Sequence, residues 1–340
     1  MFIIKLKKLY NHKPEYGASL PALKIGKYKY VRQSDINSKI FSTFVNSGPL
    51  LRNNDILISR VGSNAGETYI HDSNENCVFA GFLVRYNFDE SKLKNKYFYY
   101  WTKTNIYKNQ VKKLITGSGQ PQFNPPIVSE LKIFIPNIEI QQKIIGIIEP
   151  IEKLENNISM QVNKINILLK NLEVTNQKIK LFNILEPIKN FPKNLKQVSA
   201  KVLMKNTTLI SNLEEKGTYS TNSFYCPKGT FLFCSIRTYL QKYCILPIEA
   251  DVNGTLFQFK IKENFTSLLT SLHNEEFWEK TNLLSSGTKM PTISKKDFLN
   301  IEINKTKFEL KNLHKLLIIQ NEILLKLTKL KEIFIKLLIK

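Results

Sequence analysis

The chain is poor in the residues that would make it a metal protein, a disulfide scaffold or a membrane protein. It has four cysteines, Cys77, Cys226, Cys234 and Cys244, and no Cys-x-x-Cys pair. Zinc sites need closely spaced ligand pairs that one turn presents together, so this spacing predicts incidental thiols in a reducing compartment. Its four histidines, His12, His71, His273 and His314, are scattered. Glycine and proline number only 13 each, which excludes collagen-like and low-complexity classes. No apolar run reaches the roughly 18 residues of a membrane span. The opening MFIIKLKKLY places a short apolar stretch before its lysines, the reverse of a signal peptide, so a cytoplasmic protein is expected. Acidic residues are also short, 28 against 50 basic ones, and only five of the basic residues are arginine.

What remains is a 340-residue chain with net charge +22 and 42% apolar residues. Such a composition supports real cores and leaves room for two domains. The excess charge favours a polyanion, most often nucleic acid. A lysine-, asparagine- and isoleucine-rich genome bias produces the same excess without function. Its distribution is more specific. Residues 1–140 carry net +10, residues 141–186 +1, residues 187–305 +6 and residues 306–340 +5. The first connecting segment is nearly neutral, which suits a spacer.

The chain repeats itself. Gly117-Ser-Gly-Gln-Pro-Gln-Phe-Asn124, leading to Leu131, Ile133 and Ile135, matches Ser285-Ser-Gly-Thr-Lys-Met-Pro-Thr292, leading to Leu299, Ile301 and Ile303. The offset is 168, and each alternation predicts a strand with one buried face. Earlier, Asn54-Asp-Ile-Leu-Ile-Ser-Arg60-Val-Gly62 matches Gly229-Thr-Phe-Leu-Phe-Cys-Ser235-Ile-Arg237 at an offset of about 175. Further strands are expected near Lys29–Val31, Val78–Tyr86 and Thr255–Ile261. Helical runs are expected over Lys94–Leu114 and Phe265–Leu283. Each repeat is therefore a mixed α/β unit.

Heptads follow each unit. Ile144, Ile151, Ile158, Ile165, Leu172 and Ile179 form one column; Ile147, Leu154, Gln161, Leu168, Thr175 and Phe182 form another. The last segment has Leu316, Ile323, Leu330 and Leu337 beside Leu313, Gln320, Leu327 and Phe334. Two apolar columns three residues apart are the seam of a coiled coil. Pro150 is expected to kink the first helix or to start its main portion. The reading is α/β (α+β), with two similar globules and two long helices forming an antiparallel coiled coil in a pseudo-two-fold repeat. Its boundaries are 1–137 and 186–305 for the globules, and 138–185 and 306–340 for the helices. Gln161 and Gln320 interrupt the seams, a pattern that can set register but that chance also produces.

This order resembles the specificity subunit of type I restriction-modification enzymes. In the first half the resemblance rests on Tyr16-Gly17-Ala-Ser19, Tyr30-Val-Arg32-Gln-Ser-Asp35-Ile36, Asp55-Ile-Leu-Ile-Ser-Arg60 and Gly117–Asn124. It continues through Leu131-Lys-Ile-Phe-Ile-Pro136 into Glu139-Ile-Gln-Gln142-Lys-Ile144. In the second half it rests on Ser235-Ile-Arg237-Thr-Tyr-Leu240, Ser286–Thr292 and Leu299-Asn-Ile301, with no Ile-Pro-x-x-Glu-Gln-Gln equivalent before the last helix. The resemblance implies two target-recognition domains, each reading one half of a split double-stranded DNA site. It implies conserved helices that dock two methyltransferase subunits, and restriction/translocase subunits that complete the complex. It also implies no catalysis and no cofactor in this chain, with S-adenosylmethionine, ATP and Mg in the partner subunits.

Arg60 and Arg237 end apolar strands, where a loop can present them to guanine O6/N7 or phosphate; a plain surface arginine is an equal alternative. Gln120, Gln122 and Asn124 lie in a Gly- and Pro-rich loop and suit bidentate contact with adenine, or simply turn chemistry. Thr288 and Lys289 occupy the matching loop of the second half. Arg32, Ser63, Asn64, Lys228, Tyr239 and Lys242 complete the candidate DNA-binding set. Ile144, Ile151, Ile158, Ile165, Leu316, Ile323 and Leu330 are the candidate partner-binding positions on the helices. Asn124-Pro125-Pro126-Ile127 is similar to the Asn-Pro-Pro-aromatic loop of adenine methyltransferases, but it has Ile127 where the aromatic belongs and no cofactor loop accompanies it. Gly62–Thr68 is faintly like a phosphate loop but lacks its lysine. The competing readings are a general nucleic-acid-binding protein and a coiled-coil scaffold.

Overall fold

A computed structural model describes residues 2–37, 41–115, 121–219 and 222–339. The chain divides into two units, Met1–Pro150 with Lys331–Lys340, and Ile151–Leu330. No described helix is long and apolar enough to cross a membrane.

In the first unit, the apolar run Ile56–Ser59 is buried on both faces because it is central in its sheet. The four-stranded order is Glu15–Tyr16, Leu83–Tyr86, Ile56–Ser59, Thr68–Ile70, all antiparallel. A second sheet pairs Tyr28–Val31 in parallel with Cys77–Phe79 and antiparallel with Phe44–Val45. A third joins Phe2–Lys5 to Lys132–Ile135. The expected helical run is broken into Asn95–Trp101 and Asn105–Leu114, because Thr104 caps a new start by accepting the Tyr107 N–H. Trp101, Tyr97, Tyr100, Phe98, Phe88 and Phe123 form the buried centre.

The second unit repeats this plan. Its four-stranded sheet runs Leu185–Pro187, Leu256–Ile261, Phe231–Cys234, Tyr243–Ile245, again all antiparallel. Its three-stranded sheet pairs Gln197–Val198 in parallel with Ala250–Asn253, but the third strand, Ser223–Cys226, joins the opposite side from its counterpart. Helices Phe265–Leu272 and Glu275–Leu283 replace the expected single run, the break being capped by Asn274. Leu299, expected in a strand, lies in the short helix Lys295–Asn300, and the strand begins at Glu302.

The long helices depart from the sequence reading in three ways. First, they are shorter. The first covers Ile138–Lys170 and runs through Pro150, so the proline does not start it; the last covers Leu313–Leu338. Residues Val174–Lys180, read as helix, instead form a strand against Glu302–Thr306, the counterpart of the Phe2–Lys5 pairing. Val174 and Thr175 favour a strand, and Ile179 is buried in the second core rather than in a helical seam. Second, one column of each heptad is misplaced. The inward residues of the first helix are Ile144, Ile148, Ile151, Glu155, Val162 and Leu169, with Ile158 and Ile165 half-buried, while Ile147, Leu154 and Leu168 face out. On the last helix, Leu313 and Gln320 are buried and Leu316, Ile323, Leu330 and Leu337 are exposed.

Third, two polar pairs join the facing sides of these helices. Within the second unit, the Gln320 side-chain amide donates to Gln161 Oε1 at 3.0 Å, and Thr328 Oγ1 donates to Glu155 Oε1 at 2.8 Å. As one helix number falls the other rises, so these segments run antiparallel. Within the first unit, Ile335 and Ile339 join Ile144 and Ile148 in one core. Asn321, fully buried, ties the last helix to the second unit: its Nδ2 donates to the carbonyls of Thr208 at 3.0 Å and Ile245 at 3.2 Å, and its Oδ1 accepts the Ile210 N–H.

The start of the first long helix explains the Glu139–Gln142 motif. Asn137 caps it by accepting the Ile140 N–H at 2.9 Å. The buried Gln141 donates to Pro136 O and Lys92 O and accepts the Lys94 N–H at 2.9 Å, which leaves no side-chain polar atom unsatisfied. The second unit lacks that motif but not its role. Glu309 accepts the Thr266 N–H at 3.1 Å, and Thr266 Oγ1 accepts the Leu310 N–H at 2.9 Å. A carboxylate there also meets the positive end of the helix Phe265–Leu272.

Candidate nucleic-acid interface

In each unit the strand-end loop and the later loop are stitched together through main-chain atoms. In the first unit, Gly62 N–H donates to Pro121 O at 2.9 Å and Phe123 N–H to Arg60 O at 2.7 Å, around a Val61–Gln122 bridge. In the second, Arg237 N–H donates to Pro291 O at 2.7 Å and Ile293 N–H to Ser235 O at 3.0 Å, around an Ile236–Thr292 bridge. Phe123 and Ile293 plug the cores beneath. Each unit therefore carries one loop-pair edge on the same frame.

The first edge gathers Arg60, Ser63, Asn64, Gln122 and Asn124. The Arg60 guanidinium lies between two half-exposed rings, 5.4 Å from the Tyr16 centroid and 5.6 Å from that of Phe82, and its Nε donates to Gly81 O at 2.9 Å. This bracket leaves the guanidinium terminus free to act and fixes its direction. Asn64 donates to Gln33 O at 2.9 Å, and Gln33 Oε1 accepts from Ser59 Oγ at 3.2 Å, so the Arg32–Gln33 turn leans on the same edge. Arg32 itself is paired with Asp35 at 3.0 Å. Ser63 is exposed. Asn124 donates to Gln122 Oε1 at 3.3 Å, while its own Oδ1 is buried without a partner. Gln120 lies outside the described residues.

The second edge gathers Arg237 and Tyr239 with the hairpin Ser285–Ile293, which carries Thr288 and Lys289 at its exposed tip. Thr238 Oγ1 donates to Asn282 Oδ1 at 2.6 Å and fastens the loop to the helix behind it. Two candidates fall elsewhere. Lys228 precedes the strand Phe231–Cys234, whose far end leads to Arg237, and it pairs with Glu322 of the last helix at 2.5 Å. Together with Lys326 it holds the Glu322 carboxyl down to about 2. Lys242 donates to Ala200 O at 2.6 Å. Both lysines serve the fold.

Among the helix candidates, Ile144 and Ile151 are buried and Ile158 and Ile165 half-buried against the chain itself, whereas Leu316, Ile323 and Leu330 are exposed. Tyr16 and Phe82 were missed as site residues: nothing in the sequence marks a ring as exposed beside an arginine from another strand. Among the described residues, no group of three His, Cys, Asp or Glu is placed to hold a metal. The four cysteines are buried and unpaired, and burial pushes the Cys226 thiol up to about 12.

Residues 12–164 match the family model described as the type I restriction modification DNA specificity domain. This stretch is similar to the DNA specificity domains of that family. The chain is 26% identical over 144 residues to the type I restriction enzyme MjaVIII specificity subunit of Methanocaldococcus jannaschii, covering 42% of this chain and 33% of the relative. It is 27% identical over 153 residues to a type I restriction enzyme specificity subunit of Haemophilus influenzae, covering 45% and 38%. The matched region thus spans little more than a third of those relatives. The fold extends further. The type I restriction-modification S subunit from M. genitalium superposes with a TM-score of 0.55 at 15% identity, covering 100% of this chain and 96% of that one. The first loop-pair edge lies within the matched stretch, and the second unit repeats its frame. The resemblance read from the duplicated motifs is borne out.

Proposed function

We propose that the chain is the DNA sequence-specificity subunit of a type I restriction-modification complex, with each unit reading one half of a bipartite duplex target. The observation that carries this reading is the pair of loop edges. They have the same main-chain frame, Gly62–Pro121 and Arg237–Pro291, but different side chains on it. Two readers of one polymer need the same approach to the backbone and different contacts to bases, which is how protein–DNA interfaces divide their work. The excess positive charge supplies attraction, and its fall across the near-neutral first connecting segment suits a spacer.

The exposed residues Leu316, Ile323 and Leu330 of the last helix are the docking positions for methyltransferase subunits. Ile144, Ile151, Ile158 and Ile165 hold the chain's own packing instead. Catalysis, and with it S-adenosylmethionine, ATP and Mg, belongs to the partner methyltransferase and restriction/translocase subunits. Mapping methylated adenines in host DNA with and without this chain tests the reading. A split motif that disappears on deletion is the expected result. Recovery of the tagged chain from native lysate without any methyltransferase would count against it.

A further inference from the structure

We infer that Arg237 is a specificity-determining residue that reads a guanine in the half-site taken by the second unit. This rests on the DNA-recognition reading above and goes beyond it by naming a residue and a base.

The starting point is backbone strain. Seven described non-glycine residues have positive φ, and five of them are asparagine, the side chain that best tolerates the left-handed region. The two others are Arg237 and Gln241, both at φ 52°, and they bracket one loop on which Tyr239 and Leu240 are exposed. The loop is held from within: Leu240 N–H donates to Arg237 O and Gln241 N–H to Thr238 O, each at 2.8 Å. Strained backbone persists where surrounding structure over-determines it, and it clusters at functional sites.

The first unit shows what the frame itself demands. Gly62 occupies the position of Arg237: each donates its N–H to a proline carbonyl, each follows a bridged residue, and each lies two residues after the acceptor of the next stitch. Gly62 has φ 73°, so the left-handed turn belongs to the frame, and glycine adopts it without steric cost. The second unit places arginine there. An arginine standing where glycine would relieve the turn points to a use for its side chain.

Two further observations favour a base over a phosphate. Arg237 is exposed, and its guanidinium has no hydrogen-bond or ionic partner among the described residues. Phosphates look alike to both units, so contacts that only position the duplex belong to the shared frame. A residue present in one unit and reduced to a hydrogen in the other sits where the two targets differ. Arginine on guanine O6 and N7 is the commonest specific major-groove contact.

The test is selection of duplexes from a randomised library by the 340-residue chain, in parallel for wild type, Arg237→Gly and Arg237→Lys, with thermal melting of each. The Arg237→Gly chain should melt no lower than wild type. It should lose roughly 5- to 150-fold preference for one G·C pair in one half-site, with the other positions unchanged. Arg237→Lys should lose most of that preference while keeping the salt dependence. Equal weakening on every sequence, with the log–log salt slope reduced by about one, would make Arg237 a phosphate contact and overturn the inference. Unchanged preference in Arg237→Gly would also overturn it. A wild-type chain that selects no sequence would instead sink the DNA-recognition reading itself.

Discussion

Leu168 and Leu169 are neighbours on the first long helix, with the same residue type and opposite fates: Leu168 is 68% exposed and Leu169 2%. Alanine at either position changes helix propensity by the same small amount, so the difference between the two variants isolates burial. Leu169 packs into the second core with Ile179, Leu181 and Phe265. Truncating a buried leucine removes its transfer free energy and leaves a cavity, about 2–5 kcal/mol together. For a unit the size of Ile151–Leu330, each kcal/mol lowers the melting midpoint by about 2–4 °C. Taking about 3 kcal/mol, Leu169→Ala should drop the midpoint by roughly 6–12 °C. Leu168→Ala should stay within about 0.5 kcal/mol of wild type. Calorimetric scans of the two variants decide it. Equal losses, or a larger loss for Leu168→Ala, would refute the assignment of the inward face.

Three other outcomes are expected. Burial, followed by the charge of Lys170, lowers the His273 pKa to about 4. The unfolded chain therefore binds the extra proton first, and stability present above pH 6.5 is lost as pH falls toward 4, by at most ~3 kcal/mol. Urea titrations across that range should show this slope flattened in His273→Asn; an unchanged slope would place the titration elsewhere. Lys228→Ala should change duplex affinity less than about twofold because Lys228 is spent on Glu322, whereas Lys289→Ala should reduce the salt slope by about one; the reverse ranking would argue that the ion pair opens on DNA. Phe82→Ala removes one of the two rings bracketing Arg60, and a cation–π contact of about 0.5–1 kcal/mol corresponds to a roughly two- to fivefold loss of affinity in a binding titration.

The duplication was legible because it is written in loops and strand alternations, which sequence shows directly. It gave the two α/β units and the correspondence of the 54–62 and 229–237 segments. The inward face of the helices was only half legible. The column Ile148, Glu155, Val162, Leu169 contains a charge, and the column Ile147, Leu154, Gln161, Leu168 contains an amide, so hydropathy could not separate them. Glu155 goes inward because Thr328 meets its carboxylate, a partner 173 residues away in the chain. The end of the first helix was missed for a similar reason. Ile179 continues the heptad on paper, but Glu302–Thr306 offers Val174–Lys180 a ladder that a helix would forgo. In the candidate site, Arg60 and Arg237 could be picked by position, but their settings could not. The rings around Arg60 come from distant parts of the chain, and the Arg237 turn is tied to the Pro291 carbonyl, 54 residues on.

The stitches that hold each loop pair use amide N–H groups and carbonyls alone, and those atoms are the same whatever residue other than proline carries them. A substitution at Gln122, Thr288 or Lys289 alters the surface offered to a ligand while leaving the frame below it bonded as before. Folding and recognition are thereby written in separate atoms. On the proposed reading, the target sequence can change one side chain at a time, and the two edges are free to diverge from one another.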